Sequence, residues 1–183
     1  MEDQQEAVLL SMSKTIKKTF FKAAVFVFAA GILVLFDQWT KVLAVEKLKN
    51  GTPYIIFEKV LEFRYLENTG AAFGMMKGMQ GLIKLITPVI CLIMSALALR
   101  LYDSRRMRPL CCCFLLITAG AVGNFIDRLT NSYVVDFIYV SLIDFPIFNV
   151  ADIYVTCGSI ILILLLLFKY KEEDFDRRNT LQQ

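Results

Sequence analysis

Four stretches of the chain run for about 20 residues with almost no charged position: 20–43, 83–102, 109–128 and 147–168. That length lets a helix cross a hydrocarbon core of about 30 Å, so each stretch is predicted to span a membrane. Pro88 falls inside the second stretch and is tolerated there because neighbouring helices absorb a kink in lipid. Between the first two stretches the period changes. Leu61, Phe63 and Tyr65 alternate with Glu62 and Arg64, the pattern of a half-buried strand, and Asn68, Thr69 and Gly70 follow as a turn. Phe57, Phe63, Tyr65, Phe73, Met75, Met76 and Met79 give the segment 50–80 an apolar face. The predicted fold is an all-α integral membrane protein, four transmembrane helices with a small β-sheet cradle on one membrane surface. Gly70, Gly74, Gly78 and Gly81 supply points of movement in that cradle, and the whole chain, 1–183, is predicted to be a single domain without internal repeats.

The placement of Lys and Arg orients the bundle. Lys14, Lys17, Lys18 and Lys22 precede or open the first span; Arg100, Arg105, Arg106 and Arg108 fill the second connection; Lys169, Lys171, Arg177 and Arg178 follow the fourth span. The connection 128–146 has Arg128 alone. Both termini and the loop 100–108 are therefore expected on the cytoplasmic side, with 44–82 and 129–146 outside. The first stretch, with lysines ahead of it, also fits a cleavable signal peptide, but three further spans and the absence of a small-x-small site favour a retained helix. At 1.5 Å per residue, Lys22 to Asp37 is about 22 Å, Arg108 to Asp127 about 28 Å, and Lys169 to Asp152 about 26 Å. Three helices thus bring a carboxylate to one level, near the outer boundary.

Composition agrees with a membrane chain: of 183 residues 57% are hydrophobic and 20% charged, against about 45–50% apolar in soluble domains. The net charge of +3 comes from short basic clusters rather than a stripe, which argues against nucleic acid as a partner. Histidine is absent, removing the usual general base and the commonest transition-metal ligand. The cysteines, Cys91, Cys111, Cys112, Cys113 and Cys157, sit in apolar runs without paired CxxC spacing. They read as packing or lipid-facing residues, and neither metal nor cofactor is expected.

The polar residues at the outer ends come in helical pairs. Asp37 and Lys41 are i,i+4; Asn124 is i,i+3 from Asp127 and i,i+4 from Arg128; Asn149 and Asp152 are i,i+3 and are expected on one face of the fourth helix. Gly120 and Gly123 would let another helix approach closely. For Asp37, Lys41, Asp127 and Arg128 a purely structural ion-pair role is the leading reading. Asp136 and Asp152 differ, because neither has a basic residue nearby in sequence and both sit in apolar runs. Burial would raise such carboxyls, and two brought close together would share one proton, giving an acid and a base without His or metal. Such a pair can activate a water against an amide and protonate the leaving nitrogen. Their proximity, 16 residues apart on different elements, is a tertiary expectation.

These motifs resemble one family across most of residues 30–160: "DQWTK" (37–41), "NTGAAF" (68–73), "GAVGNFIDR" (120–128), "VVDF" (134–137) and "FNVAD" (148–152). In this order they resemble the bacterial lipoprotein signal peptidases (signal peptidase II), membrane aspartyl proteases with four spanning helices. The resemblance implies catalytic roles for Asp136 and Asp152. It implies supporting roles for Asp37, Lys41, Asn68, Gly70, Asn124, Arg128 and Asn149, and a structural role for Asp127 ordering the helix end with Arg128. It implies a substrate, a prolipoprotein whose cysteine already carries diacylglycerol, cleaved just before that cysteine. It also implies sensitivity to the cyclic peptide globomycin and residence in the bacterial cytoplasmic (inner) membrane among membrane lipids. Ala119 stands where many members carry a second glycine, and the segment between Asp136 and Asp152 is shorter than in several relatives.

Two other classes fit the composition. A small transporter or channel subunit would also use intramembrane acids, but should place ionisable groups along the whole depth of the bundle. A non-catalytic scaffold leaves the one-level clustering without a cause. Nothing in the sequence demands more than a monomer.

Overall fold

The computed structural model describes residues 2–70 and 80–175. Its elements are α1 (Glu2–Leu48), β1 (Tyr54–Phe57), β2 (Leu61–Asn68), α2 (Gln80–Leu101), α3 (Arg108–Thr130), β3 (Val134–Tyr139) and α4 (Val150–Phe168). Short 3₁₀ turns at Arg105–Met107, Ser141–Ile143 and Glu172–Phe175 join or follow them. All four long helices carry a window apolar enough to cross a membrane, so the chain is a multi-pass membrane protein.

α1 is the largest departure from the expected spans. It is continuous over 47 residues, beginning well before residue 20 and ending five residues beyond 43. No Pro or Gly interrupts the chain between Glu2 and Ala30, so the hydrogen-bond ladder has no reason to stop at the membrane boundary. The expected outer segment 44–82 correspondingly loses its first residues to α1. α4 starts later than expected, at Val150, because Asn149 caps it. The Asn149 side chain accepts from the Asp152 backbone N–H at 3.0 Å, and the Asp152 carboxylate accepts from the Asn149 backbone N–H at 3.2 Å. This capping box places Asn149 at the cap rather than on the helix face expected for it.

α3 is the central helix. In its apolar window 44% of residues are buried, against 6–17% in the other three. Small residues permit its contact with α4. A Cβ on Gly120 would lie 2.3 Å from the Ala151 carbonyl oxygen, and one on Gly158 would lie 3.2 Å from that of Cys113. Gly123 makes room for α1: a Cβ there would fall 2.5 Å from Asp37 Oδ2. At the opposite end, Ala98, Met107, Leu110, Phe114 and Tyr170 form a buried cluster.

The sheet is antiparallel in the order β1-β2-β3. Its third strand corrects the expectation that 134–137 is connection: β3 pairs with β2, setting Asp136 opposite Leu66 and Val134 opposite Asn68, past an irregularity between Phe63 and Leu66. β3 shows no alternation because Val134, Val135, Asp136 and Phe137 are all buried, and a strand covered on both faces reads as a continuous run. Val135 and Phe137 pack with Ala44 against the end of α1, fixing the sheet to the helix bundle. The predicted contributions of Phe73, Met75, Met76 and Met79, and the mobility assigned to Gly74 and Gly78, lie outside the described residues. Gly81 belongs to α2.

Candidate active site

Every candidate site residue named from the sequence lies at the sheet end of the bundle, in two layers. The inner layer is a buried charge cluster centred on Lys41, which is only 3% exposed. Its ammonium pairs with Asp37 at 2.9 Å and Asp127 at 3.0 Å and donates to Asn124 Oδ1 at 2.9 Å. Each carboxylate then holds a backbone position. Asp37 Oδ1 accepts from Ala151 N–H at 2.8 Å, and Asp127 Oδ2 accepts from Val135 N–H at 3.1 Å. Ala151 precedes Asp152 and Val135 precedes Asp136, so one ammonium registers the backbones carrying both aspartates. The expected partnership of Asp127 with Arg128 is replaced by this one, since a buried carboxylate gains most from a buried cation and an amide donor.

Gln38 belongs to the same layer and went unnoticed in the sequence. Its Nε2 donates to Asp37 at 3.2 Å, Asp127 at 3.0 Å and the Gly123 carbonyl at 3.1 Å. The signal was present: an amide beside Asp37, within a span otherwise poor in polar groups.

The outer layer holds the two remaining carboxylates. Asp136, 1% exposed, accepts from Asn68 Nδ2 at 2.8 Å and from Asn149 Nδ2 at 2.6 Å. Asp152 accepts from Asn124 Nδ2 at 2.7 Å as well as from the Asn149 backbone. Asn149 therefore touches both, and its Nδ2 also reaches Asn124 Oδ1 at 3.1 Å. On the sheet side, Asn68 Oδ1 accepts from Gly70 N–H at 2.9 Å. Arg128 donates to the Asn124 carbonyl at 3.2 Å and reaches the Gly70 carbonyl at 3.5 Å.

Both carboxylates open into one cavity of about 420 Å³, which Asn68, Asn124 and Arg128 also line. Its remaining walls are largely apolar: Val134, the segment Phe145–Phe148, and Ile153, Val155, Thr156 and Cys157 along α4. Burial pushes the Asp136 carboxyl up to about 7; the Asn68 and Asn149 donors oppose this, and the Asp152 charge adds to it. A group poised there can hold or release a proton at neutral pH. The cavity thus combines a pair of carboxylates, amide and guanidinium donors for a polar backbone, and an apolar wall for a hydrophobic ligand.

Fold and site together define a multi-pass membrane protein with a carboxylate pair in a half-apolar cleft at one end of its bundle. A family model described as Signal peptidase (SPase) II matches residues 29–168. A lipoprotein signal peptidase of Clostridium tetani is 38% identical over 148 residues, covering 79% of this chain and 92% of its own. One from Streptococcus pyogenes is 36% identical over 157 residues, covering 84% and 98%. A bacterial membrane enzyme solved by the in meso method superposes with a TM-score of 0.70 at 31% identity, covering 85% of this chain and 92% of that one. The chain belongs to the signal peptidase II family and is a membrane-bound peptidase.

Proposed function

We propose that this chain is an intramembrane aspartyl endopeptidase. It removes signal peptides from diacylglyceryl-modified prolipoproteins, cutting just before the lipidated cysteine, with Asp136 and Asp152 as its catalytic pair. The observation that carries this reading is their convergence on one cavity, joined through Asn149 at 2.6 Å and 3.2 Å. The pair holds one proton. Asp136, pushed up to about 7, carries it at rest, and Asp152 is the base that takes a proton from water as the water oxygen attacks the scissile carbonyl. Asp136 then donates to the departing nitrogen, the C–N bond breaks, and the pair is left with one proton again. Asn68 and Arg128 face the peptide backbone, while the apolar wall takes hydrophobic parts of the substrate.

The distribution of basic residues supports a topology with both termini in the cytoplasm and the cavity near the outer leaflet of the inner membrane, where water would reach the pair and a lipid-anchored substrate would arrive laterally. Globomycin would occupy the same cavity. A proton or ion path fits less well: no ionisable Asp, Glu, Lys or Arg falls between Lys22 and Asp37, Arg108 and Asp127, or Asp152 and Lys169.

The test is purified enzyme in lipid with a diacylated precursor, compared with Asp136→Asn and Asp152→Asn. Parent enzyme should release a product beginning at the lipidated cysteine, and either variant should release almost none. Equal cleavage of the unlipidated precursor would remove the lipid from the proposed specificity, and cleavage by either variant at parent-like rate would remove the pair.

A further inference from the structure

α1, α2 and α3 enclose a groove of about 350 Å³ that the proposed reaction does not use. Ala23, Val27, Gly31 and Val34 line it from α1, Leu99 from α2 and Val122 from α3. Its two hydroxyl-bearing residues add almost no polar surface: Ser95 turns its hydroxyl onto the Cys91 carbonyl at 2.7 Å, and the Thr118 hydroxyl oxygen is fully buried. From Ala23 to Val34 the groove runs about 16 Å at 1.5 Å per residue, the depth of one leaflet of a hydrocarbon core about 30 Å thick. Spread over that length, its volume leaves a cross-section of about 20 Å², enough for one extended hydrocarbon chain and too narrow for a helix about 10–12 Å across. A Cβ at Gly31 would meet nothing within 4 Å among the described residues. No neighbouring helix therefore accounts for this glycine, a poor helix former, and its effect is to keep the groove open.

The mouth of the groove is charged. Asp103 follows Leu99 by four residues, and Lys18 and Lys22 both pair with it, Lys18 at 3.0 Å. Lys22 immediately precedes Ala23, so these pairs stand where the groove opens at the α2–α3 turn. Two ammoniums on one carboxylate leave one positive charge uncompensated, and the Lys18 side chain is 65% exposed. Arg100, next to Leu99, is exposed and has no ion pair among the described residues. We infer that the groove binds an anionic phospholipid of the leaflet at that end, with one acyl chain laid along α1 and the phosphate held by Lys18 and Arg100. A zwitterionic lipid brings the same chain but no net charge to the mouth. Each basic residue near the membrane surface favours an anionic headgroup by about fivefold, so the excess ammonium and Arg100 set the selectivity. The bound chain fills the space between α1 and α2.

The test uses the full chain, stripped of lipid in detergent and offered equal amounts of phosphatidylglycerol and phosphatidylethanolamine with the same acyl chains. Native mass spectrometry reads the lipid retained. Phosphatidylglycerol should be retained at least fivefold over phosphatidylethanolamine. Gly31→Leu, which fills the groove with a better helix former, should cut that retention at least fivefold while the unfolding temperature in lipid-free detergent stays as in the parent. Lys18→Gln should lower phosphatidylglycerol retention about fivefold, whereas Asp103→Asn, which removes the competing carboxylate, should raise it by about as much. If the ion pairs only tied α1 to the α2–α3 turn, Asp103→Asn would lower retention as Lys18→Gln does, and that result would overturn the inference. Equal retention of the two lipids would overturn it as well. So would phosphatidylglycerol held as firmly by Gly31→Leu as by the parent, because that change leaves the catalytic cavity untouched and places the lipid outside the groove.

Discussion

Lys41→Met removes the cation from the buried cluster while keeping the length and apolarity of the side chain. Lys41 is 3% exposed, Asp37 is fully buried and Asp127 is 3% exposed, so solvent does little to replace the lost charge. Removing one partner of a buried ion pair costs about 3–5 kcal/mol, because the remaining charge is left uncompensated. Here two carboxylates are left, at 2.9 Å and 3.0 Å from the missing ammonium, which places the cost at the upper end. For a chain of this size each kcal/mol lowers the unfolding temperature by about 2–4 °C, so a fall of about 10–20 °C is expected. A thiol-reactive fluorogenic dye reads this in detergent or nanodiscs, because Cys113 is 2% exposed when folded and becomes reactive on unfolding. The triple variant Asp37→Asn/Lys41→Met/Asp127→Asn, which removes the stranded charges too, should recover at least half of the loss. Both should cleave slowly even below their unfolding temperatures, since Ala151 and Val135 lose charged anchors. An unfolding temperature for Lys41→Met within about 2 °C of the parent, at equal loading, would refute the view that this ion cluster holds the bundle end together.

Three further outcomes follow from the geometry. Asn149→Ser keeps a good cap for α4 but removes the buried amide that donates to Asp136 at 2.6 Å and Asn124 at 3.1 Å; stability should fall by about 1–3 kcal/mol, while the cleavage rate falls at least tenfold. Gly120→Ala puts a methyl 2.3 Å from the Ala151 carbonyl and should lower stability by about 1–3 kcal/mol in thermal unfolding, whereas Gly81→Ala, with nothing within 4 Å among the described residues, should be neutral. Asp136 is raised in the folded state from 3.8 to about 7, so its contribution to stability is complete below about pH 4 and lost as pH rises through 7. The parent should therefore lose unfolding temperature between pH 5 and 8, Asp136→Asn should lose less, and the parent cleavage rate should fall above pH 7 as Asp136 gives up its proton.

Much of this architecture was legible as pattern. Uninterrupted apolar runs of membrane length gave the four helices, and counting residues from the basic ends put Asp37, Asp127 and Asp152 at one level. Helical spacing foresaw the Asp37–Lys41 pair, and the glycines at 120 and 123 marked close helix approach. Several features depended on contacts that spacing does not carry. β3 has no alternation because both its faces are covered, so Asp136 resembled loop. Asn149 shares a spacing of three with Asp152, which is equally the spacing of a helix face and of a capping box, and only the chain's entry angle separates them. Asp127 chose the distant Lys41 over the adjacent Arg128 because α1 brings a cation into the dry interior. The outward reach of α1 was hidden by the rule that ends a span where charges begin, although lysines with long apolar stems continue a helix without strain.

The central claim is that Asp136 and Asp152 work as one acid–base unit. It is tested most directly by single-turnover cleavage of a diacylated precursor by the parent, Asp136→Asn, Asp152→Asn and the double variant, all matched for folded protein. General acid–base groups contribute about 10²–10⁴-fold each, and members of one unit are strongly non-additive. Each single variant should therefore lose at least 10²-fold, and the double variant should be no slower than the slower single one by more than about threefold. A single variant retaining a tenth of the parent rate, or a double variant whose loss is the product of the two single losses, would contradict it.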